Sequence, residues 1–411
     1  MDFYDSLEVR PPGDREADLF CMLEKQFQNA REHSRYFSRL YKDCAVPRDR
    51  DQLASLPVTR KSDLIELQRT DGRFGGVLAI GATSLGRIYQ SPGPIYDPEG
   101  RRENYWRIAR AVHAAGFRAG ELAHNCFSYH LTPGGLMFES GAHALGCCVF
   151  PGGVGNTELQ ARAVADLRPA GYLGTPSFLK AIIGKGLELG LDLSSLRRAL
   201  VSGEPLPDVL RREFLGFGVE VRQAYATADL GLIAYETVAG EGLVIDEEVI
   251  VEVVRPGSGE PVTDGAVGEV VVTTLTPEYP LIRYATGDLS AVLAGESSCG
   301  RTNARLKGWL GRVDQSTKVR GMFVHPAQVG EVVARHPPVT RARLEIENGP
   351  SGDVMTMVCE VAELVRSEAL SYEIAATLRS VTKLRGAVQF VAPGEFSNGG
   401  KVIVDRRTNQ E

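Results

Sequence analysis

Asp288 closes the run Leu281-Ile282-Arg283-Tyr284-Ala285-Thr286-Gly287-Asp288, directly after a tight Thr-Gly turn. A carboxylate there is a natural bidentate acceptor for the two hydroxyls of a ribose. In Ala224-Tyr225-Ala226-Thr227-Ala228-Asp229 the tyrosine ring can stack on a base. Asp229, four residues on, can hold Mg²⁺ beside a phosphate. Ser202-Gly203-Glu204-Pro205 follows the apolar run Ala199-Leu200-Val201, and its glycine lets a flat ring approach the backbone. Arg312, in Gly311-Arg312-Val313-Asp314-Gln315, carries a planar fork suited to ribose and phosphate oxygens. Lys401 ends the glycine-rich run Ser397-Asn398-Gly399-Gly400-Lys401, from which an ammonium can swing to a distant site and neutralise charge at phosphorus. Phe127 and Tyr129, with the Gly134-Gly135 turn, offer flat apolar surface for an acid pocket.

Singly, each has a plainer explanation. Taken alone, Gly203-Glu204-Pro205 reads more readily as a turn, Tyr225 as a packed ring and Asp229 as a helix cap. Thr286-Gly287-Asp288 reads as a surface turn, Phe127 and Tyr129 as core, and Lys401 as a solvated tail residue. Only their order along the chain distinguishes the two accounts.

The elements that would position them are periodic. Leu19, Met22, Leu23 and Phe27 recur at helical spacing and predict a helix over 16–41. Tyr105, Ile108, Ala109 and Val112 predict another over 102–115. Short apolar runs then alternate with helical stretches: Cys147–Phe150, Gly171–Leu173, Ala199–Val201 and Val219–Val221. Such runs bounded by helices predict a mostly parallel sheet, whose ligands sit beyond the carboxyl ends of the strands. Val249–Val254 and Glu269–Thr274 alternate like antiparallel strands, with a Pro256-Gly257-Ser258-Gly259 turn between them. After Gly311 the pattern is strand–helix–strand–strand–helix–strand, clearest at Val329–Arg335, Val354–Val361, Glu368–Leu378 and Val388–Val391. The reading is an α/β chain with a large domain over 1–311 and a small mobile α+β domain over 312–411, hinged near Asp314 and Gln315.

At 411 residues the chain exceeds one ordinary domain, and 43% hydrophobic with 24% charged residues is a globular composition. The net charge of −6 with interspersed signs excludes a basic nucleic-acid face. No apolar run reaches the roughly 18 residues of a membrane span. Met1–Asp5 lacks a basic, apolar leader, and seven sparse cysteines read as reduced thiols, so the expected location is cytoplasmic.

Taken in order, the segments resemble the adenine, magnesium, ribose, hinge and C-terminal lysine motifs of adenylate-forming enzymes. The resemblance is to the phenylacetate–coenzyme A ligase branch. It extends to Thr175-Pro176-Ser177, Gly155–Glu158, Thr273–Thr276 leading to Pro280–Tyr284, and Cys299–Thr302, and it runs from Tyr36 to Arg407. It implies an enzyme that joins a carboxylic acid to ATP, releases pyrophosphate, and passes the acyl group from AMP to a thiol, coenzyme A being the expected acceptor. By the same resemblance Ser202–Pro205, Tyr225, Ala226, Thr227, Asp288 and Arg312 bind nucleotide. Asp229 holds Mg²⁺, and Lys401, Asp229 and Arg312 carry catalysis. Phe127, Tyr129, His130, Gly174, Thr175 and Pro176 line the acid pocket. A carrier-protein or amine acceptor, and a homodimer, are compatible with it.

Two departures stand out. Relatives carry a Ser/Thr/Gly-rich loop ending in Lys-Pro, whose backbone N–H groups cradle phosphates. Here the segment is Ser91-Pro92-Gly93-Pro94-Ile95-Tyr96-Asp97-Pro98, with prolines at 92, 94 and 98 and an aspartate in the lysine position, which as a free anion would repel a triphosphate. This opens the alternative of a relative impaired in ATP use; retention of Asp288, Arg312 and Lys401 favours an active enzyme. Relatives also hold a zinc through Cys and His, whereas Glu236–Val244 lacks both and Cys299 stands alone of its pair, so no zinc is expected.

Overall fold

The computed structural model describes every residue except 1, 92–93, 320–321, 350–351, 397–400 and 408–411. The chain forms two compact units, one of residues 1–286 with 290–308, the other of 287–289 with 309–411.

A nine-stranded sheet organises the first unit, in the order 292–293, 305–306, 243–245, 231–236, 220–227, 198–201, 171–174, 122–125, 148–151. The five strands from 220–227 to 148–151 run parallel, and the pairing turns antiparallel where 220–227 meets 231–236. The apolar runs were long enough in sequence to give strands but not their neighbours; crossover helices supply those. Alternation splits the side chains between two cores. Leu173 and Leu200 pack with Ile108, Val112, Phe117 and Phe138, whereas Tyr172, Ala199 and Val201 pack with Leu179, Ile182 and Phe214. Each fully buried leucine contributes about 1.5–3 kcal/mol relative to exposure.

A four-stranded sheet, ordered 59–60, 284–290, 268–274, 249–254, carries the expected antiparallel pair, with Val249 opposite Thr274 and Val254 opposite Glu269. Both faces of this pair are buried, because Val253, Val270 and Val272 meet one core while Val254, Val271 and Ala285 meet another. The polar face that strict alternation would predict is therefore absent from it.

Two helices differ from their sequence pattern. The 16–41 stretch is two helices, Pro12–His33 and Arg35–Leu40. Ser34 breaks it: its extended backbone N-caps the second helix, with the Oγ accepting from Phe37 N at 3.3 Å. The 102–115 stretch is helical only over Ala109–Ala114. Asn104 and Arg107 have positive φ, and the Asn104 side chain accepts from Ala109 N at 3.1 Å. The Arg107 guanidinium is buried against the Leu230 and Leu232 carbonyls and Asp246, and those tertiary bonds override helical periodicity.

In the second unit, strands 387–391, 352–361, 339–349 and 403–405 form one sheet. Helices Pro326–Arg335 and Glu368–Thr382 pack on it through Val329, Val332, Ile374 and Leu378. A hairpin, Thr317–Val319 with Met322–Val324, precedes them. The overall class is mixed α/β with a small α+β unit. Among the described residues no helix is long and apolar enough to cross a membrane.

Candidate active site

The strand order creates a crevice. From 122–125 the chain goes to 148–151 on one side, then returns to 171–174 on the other. Ligands in open α/β sheets bind where the order reverses in this way, at the carboxyl ends. Those ends are Asn125 and Gly174, which places Tyr129, His130, Thr175 and Pro176 at the mouth. Asn125 Nδ2 donates to Tyr129 Oη at 2.8 Å and to the Gly135 carbonyl at 2.8 Å. Tyr129 Oη donates in turn to Glu139 Oε2 at 2.7 Å. Burial, then the Glu139 carboxylate, push the Tyr129 hydroxyl well above its ordinary range, so it stays a neutral donor. A Cβ on Gly135 would lie 2.8 Å from both the Tyr129 ring and the Ser128 carbonyl, so only glycine lets this ring dock. Thr175 N-caps helix Pro176–Glu188, accepting from Phe178 N at 3.4 Å. His130 is exposed. Phe127 is buried and stacked on Phe138, centroids 4.1 Å apart, so its surroundings are those of core rather than of an open pocket wall.

The candidate nucleotide residues are divided between the two units. In the first, Gly203 has φ +81, and Ser202 N donates to the Gly174 carbonyl at 3.2 Å, tying the two strand-end loops. Glu204 is already engaged, accepting from Ser177 Oγ at 2.8 Å and Ser177 N at 3.2 Å. Its carboxylate therefore serves a helix N-terminus, where negative charge is favoured. Tyr225 Oη donates to Thr286 Oγ1 at 3.3 Å, next to a register shift at Tyr225/Ala226 that re-aims the strand. Thr227 Oγ1 accepts from Leu230 N at 3.2 Å.

In the second unit, Asp288 Oδ1 accepts from Trp309 Nε1 at 3.1 Å and Arg312 Nη1 at 3.3 Å. A Cβ on Gly287 would fall 2.8 Å from Arg312 Nη2, so glycine permits that approach. Arg312 Nε also donates to the exposed Asp314 at 3.1 Å, and Gln315 ends the short 3₁₀ turn Val313–Gln315. Lys401 is exposed and edges a pocket of about 280 Å³ with Arg341, Arg343, Phe396, Val329 and Val402. Residues Ser397–Gly400, preceding it, lie outside the described residues, as do Pro92, Gly93, Arg320 and Gly321.

The altered phosphate segment is a hairpin, Arg87–Ser91 against Ile95–Glu99, with Tyr89 opposite Asp97. Tyr96 points out and Asp97 points in. Ser91 Oγ donates to Asp97 Oδ2 at 2.6 Å. Lys61 Nζ donates to Asp229 Oδ2 at 3.1 Å, and Asp97 contacts Asp229. Burial, then the Asp229 carboxylate beside it, push the Asp97 carboxyl up to about 8. Asp97 is thus a buried, proton-holding acid at neutral pH and not the free repelling anion that its place in the sequence suggested. Lys61, Tyr279 and Tyr284 were missed in the sequence reading. Lys61 had a signal, since it opens helix Lys61–Thr70 directly after strand Thr59–Arg60, a strand-to-helix turn of the kind that holds ligands. Arg283 is buried and structural, bonded to Glu252 and to the Gly259, Ala54 and Leu56 carbonyls.

Cys299 is buried, with Ser297 Oγ donating to its Sγ at 3.1 Å, while neighbouring Glu241 accepts from Ser298 N and Arg305. Among the described residues no group of three or more His, Cys, Asp or Glu is arranged to hold a metal.

A parallel sheet with a crevice at its reversal, joined to a compact α+β unit, is the architecture of adenylate-forming ligases. A 2-hydroxyisobutyryl-CoA ligase structure superposes with a TM-score of 0.84 at 23% identity, covering 98% of this chain and 96% of that one. Residues 114–276 match the AMP-binding enzyme family. The Thermus thermophilus phenylacetate–coenzyme A ligase is 33% identical over 323 residues, 74% of this chain and 72% of that protein. The Aromatoleum evansii enzyme of the same name is 29% identical over 385 residues, 87% and 86% of the two chains. The chain belongs to the phenylacetate–coenzyme A ligase family of adenylate-forming enzymes and is an AMP-forming acid–thiol ligase.

Proposed function

We propose that the protein converts an aromatic carboxylic acid to its acyl adenylate with ATP and transfers the acyl group to coenzyme A. The observation that carries the substrate class is the Asn125–Tyr129–Glu139 chain at the sheet's reversal, which fixes an aromatic ring at the pocket mouth. The names of the two enzymes similar in sequence, both phenylacetate–coenzyme A ligases, support the same acid class and acceptor. Tyr129 serves here as a positioned wall and neutral hydrogen-bond donor. Asp288 and Arg312 are assigned to the ribose and Tyr225 to the adenine.

Asp229 fits the expected Mg²⁺, because its buried Oδ1 has no hydrogen-bond partner among the described residues. Such an ion neutralises phosphate charge while two anions are brought together. Lys401 is assigned to the adenylating half-reaction and the segment Asp314–Gln315 to a hinge between half-reactions. The test is pyrophosphate release, with coenzyme A thiol consumption, over a panel of aryl, arylacetic and short aliphatic acids. Turnover confined to aliphatic acids would overturn the aromatic assignment, and thiol consumption absent for every acid would overturn the acceptor.

A further inference from the structure

We infer that Gln160 is a positioning residue for the acid pocket, holding the glycine loop 152–155 against the ring of Tyr129. The inference rests on the reading of Tyr129 as a wall of that pocket. Gly155–Glu158 leads into helix Thr157–Leu167, and Gln160 lies in its first turn, only 4% exposed. Its Nε2 donates to the carbonyls of Gly152 at 2.7 Å, Gly153 at 3.3 Å and Gly155 at 3.4 Å. With the nitrogen committed to carbonyls, the amide oxygen faces the other way, onto the fully buried His124, whose Nε2 is 2.7 Å from it. That pairing places the imidazole proton on Nε2. Burial lowers the affinity of the His124 ring for a second proton and keeps it neutral. A Cβ on Gly152 would strike Gln160 Oε1 and lie 3.1 Å from His124 Nε2, so only glycine admits the pair.

The loop follows strand 148–151, at the carboxyl edge where the strand order reverses. Loop carbonyls at such an edge ordinarily turn to water, yet here three share one buried side-chain amide. What they support is Tyr129. Gly153 N donates to the Asn125 carbonyl at 3.0 Å, and the side chain of the same Asn125 holds the Tyr129 hydroxyl. A Cβ on Gly153 would come 3.8 Å from Tyr129 Cδ2, so bare backbone borders the ring here as it does at Gly135. Gly135 belongs to helix Gly134–Ala144, whose own repeating bonds keep it in place. The 152–155 loop has no such repeat, and Gly153, at φ +67, has wide conformational freedom. Gln160 restricts it. Release of the loop frees the ring to turn, so the expected consequence is a weaker hold on the acid with the nucleotide site unchanged.

The test is steady-state kinetics on Gln160→Met, which keeps the side-chain length and removes both the donor and the acceptor. The acid used is whichever of the aryl, arylacetic and short aliphatic acids the wild type turns over best. The KM for that acid should rise at least about tenfold, while kcat and the KM for ATP stay within about twofold. In a Tyr129→Ala background the same substitution should add less than about twofold, because the wall it positions is gone. A merely structural Gln160 behaves otherwise: all three constants worsen together, or the full loss repeats without Tyr129, and either result overturns the inference. Should Gln160→Met fail to fold, His124→Leu takes its place. It removes only the partner of the amide oxygen, so about a threefold rise in the acid KM is expected, and no rise would refute the role. Failure of the aromatic reading would show separately, in which acid the wild type prefers, and leaves the ratio of variant to wild type as informative as before.

Discussion

Asp288→Ala isolates the ribose assignment. Asp288 is nearly buried and its Oδ1 accepts from Trp309 and Arg312. Those bonds orient the carboxylate that the ribose role assigns to a hydroxyl of the sugar. A hydrogen bond to a charged group contributes about 1.5–3 kcal/mol, so its loss lowers AMP affinity by about 10- to 150-fold. The second ribose hydroxyl is counted within that range, because contacts to one carboxylate are not additive. Truncation also frees the Arg312 fork, which Asp314 partly retains through Nε. The assay is calorimetric titration of AMP into wild type and variant, with thermal unfolding to confirm that both are folded. Affinity within about twofold of wild type would refute the ribose role and leave Asp288 as an anchor for Trp309 and Arg312 alone.

Lys401→Ala should abolish pyrophosphate release while leaving thioester formation from a supplied acyl adenylate close to wild type; equal loss in both steps would reject the role. ATP affinity should fall by more than about tenfold when divalent cations are chelated, while AMP affinity holds, because only the β- and γ-phosphates need the extra charge; parallel loss would place the dependence elsewhere. Elemental analysis of the purified protein should give no stoichiometric zinc, and one zinc per chain would reject the reading of Cys299. Asp97 is raised to about 8 in the folded chain by burial and by Asp229, above the ordinary value of 3.8. The folded state therefore holds the proton more tightly, and the stability this confers is complete below about pH 4 and lost as pH rises through 8. In EDTA, Asp97→Asn should flatten that decline and melt at least about 2 °C higher than wild type at pH 9; an unchanged pH profile would show that Asp97 does not titrate in this window.

Much of the fold was open to the sequence because its signals are local. Apolar runs of three or four residues between helical stretches announce parallel strands. The order of Tyr225, Asp229, Asp288, Arg312 and Lys401 announced the ligase. Side-chain partnerships were less accessible. Glu204, a nucleotide candidate in sequence, also bonds Ser177 at a helix N-terminus, a partnership its place in the chain does not announce. Phe127 reads as a pocket wall until Phe138 is found stacked on it.

What the sequence by itself determined is the family and most of the elements, since periodicity and motif order survive without contacts. Tertiary structure decided where helices begin and stop, as when buried Arg107 reaches the Leu230 and Leu232 carbonyls and delays the start of a periodic stretch to Ala109. It also decided which groups meet. Asp97, Asp229 and Lys61 lie in three separate segments, and only the hairpin's register and the strand-to-helix turn at Thr59–Lys61 bring them together. The physical reason is that a carboxyl's charge state depends on what is buried beside it. Read alone, Asp97 is an anion opposing phosphate; packed against Asp229 it holds a proton.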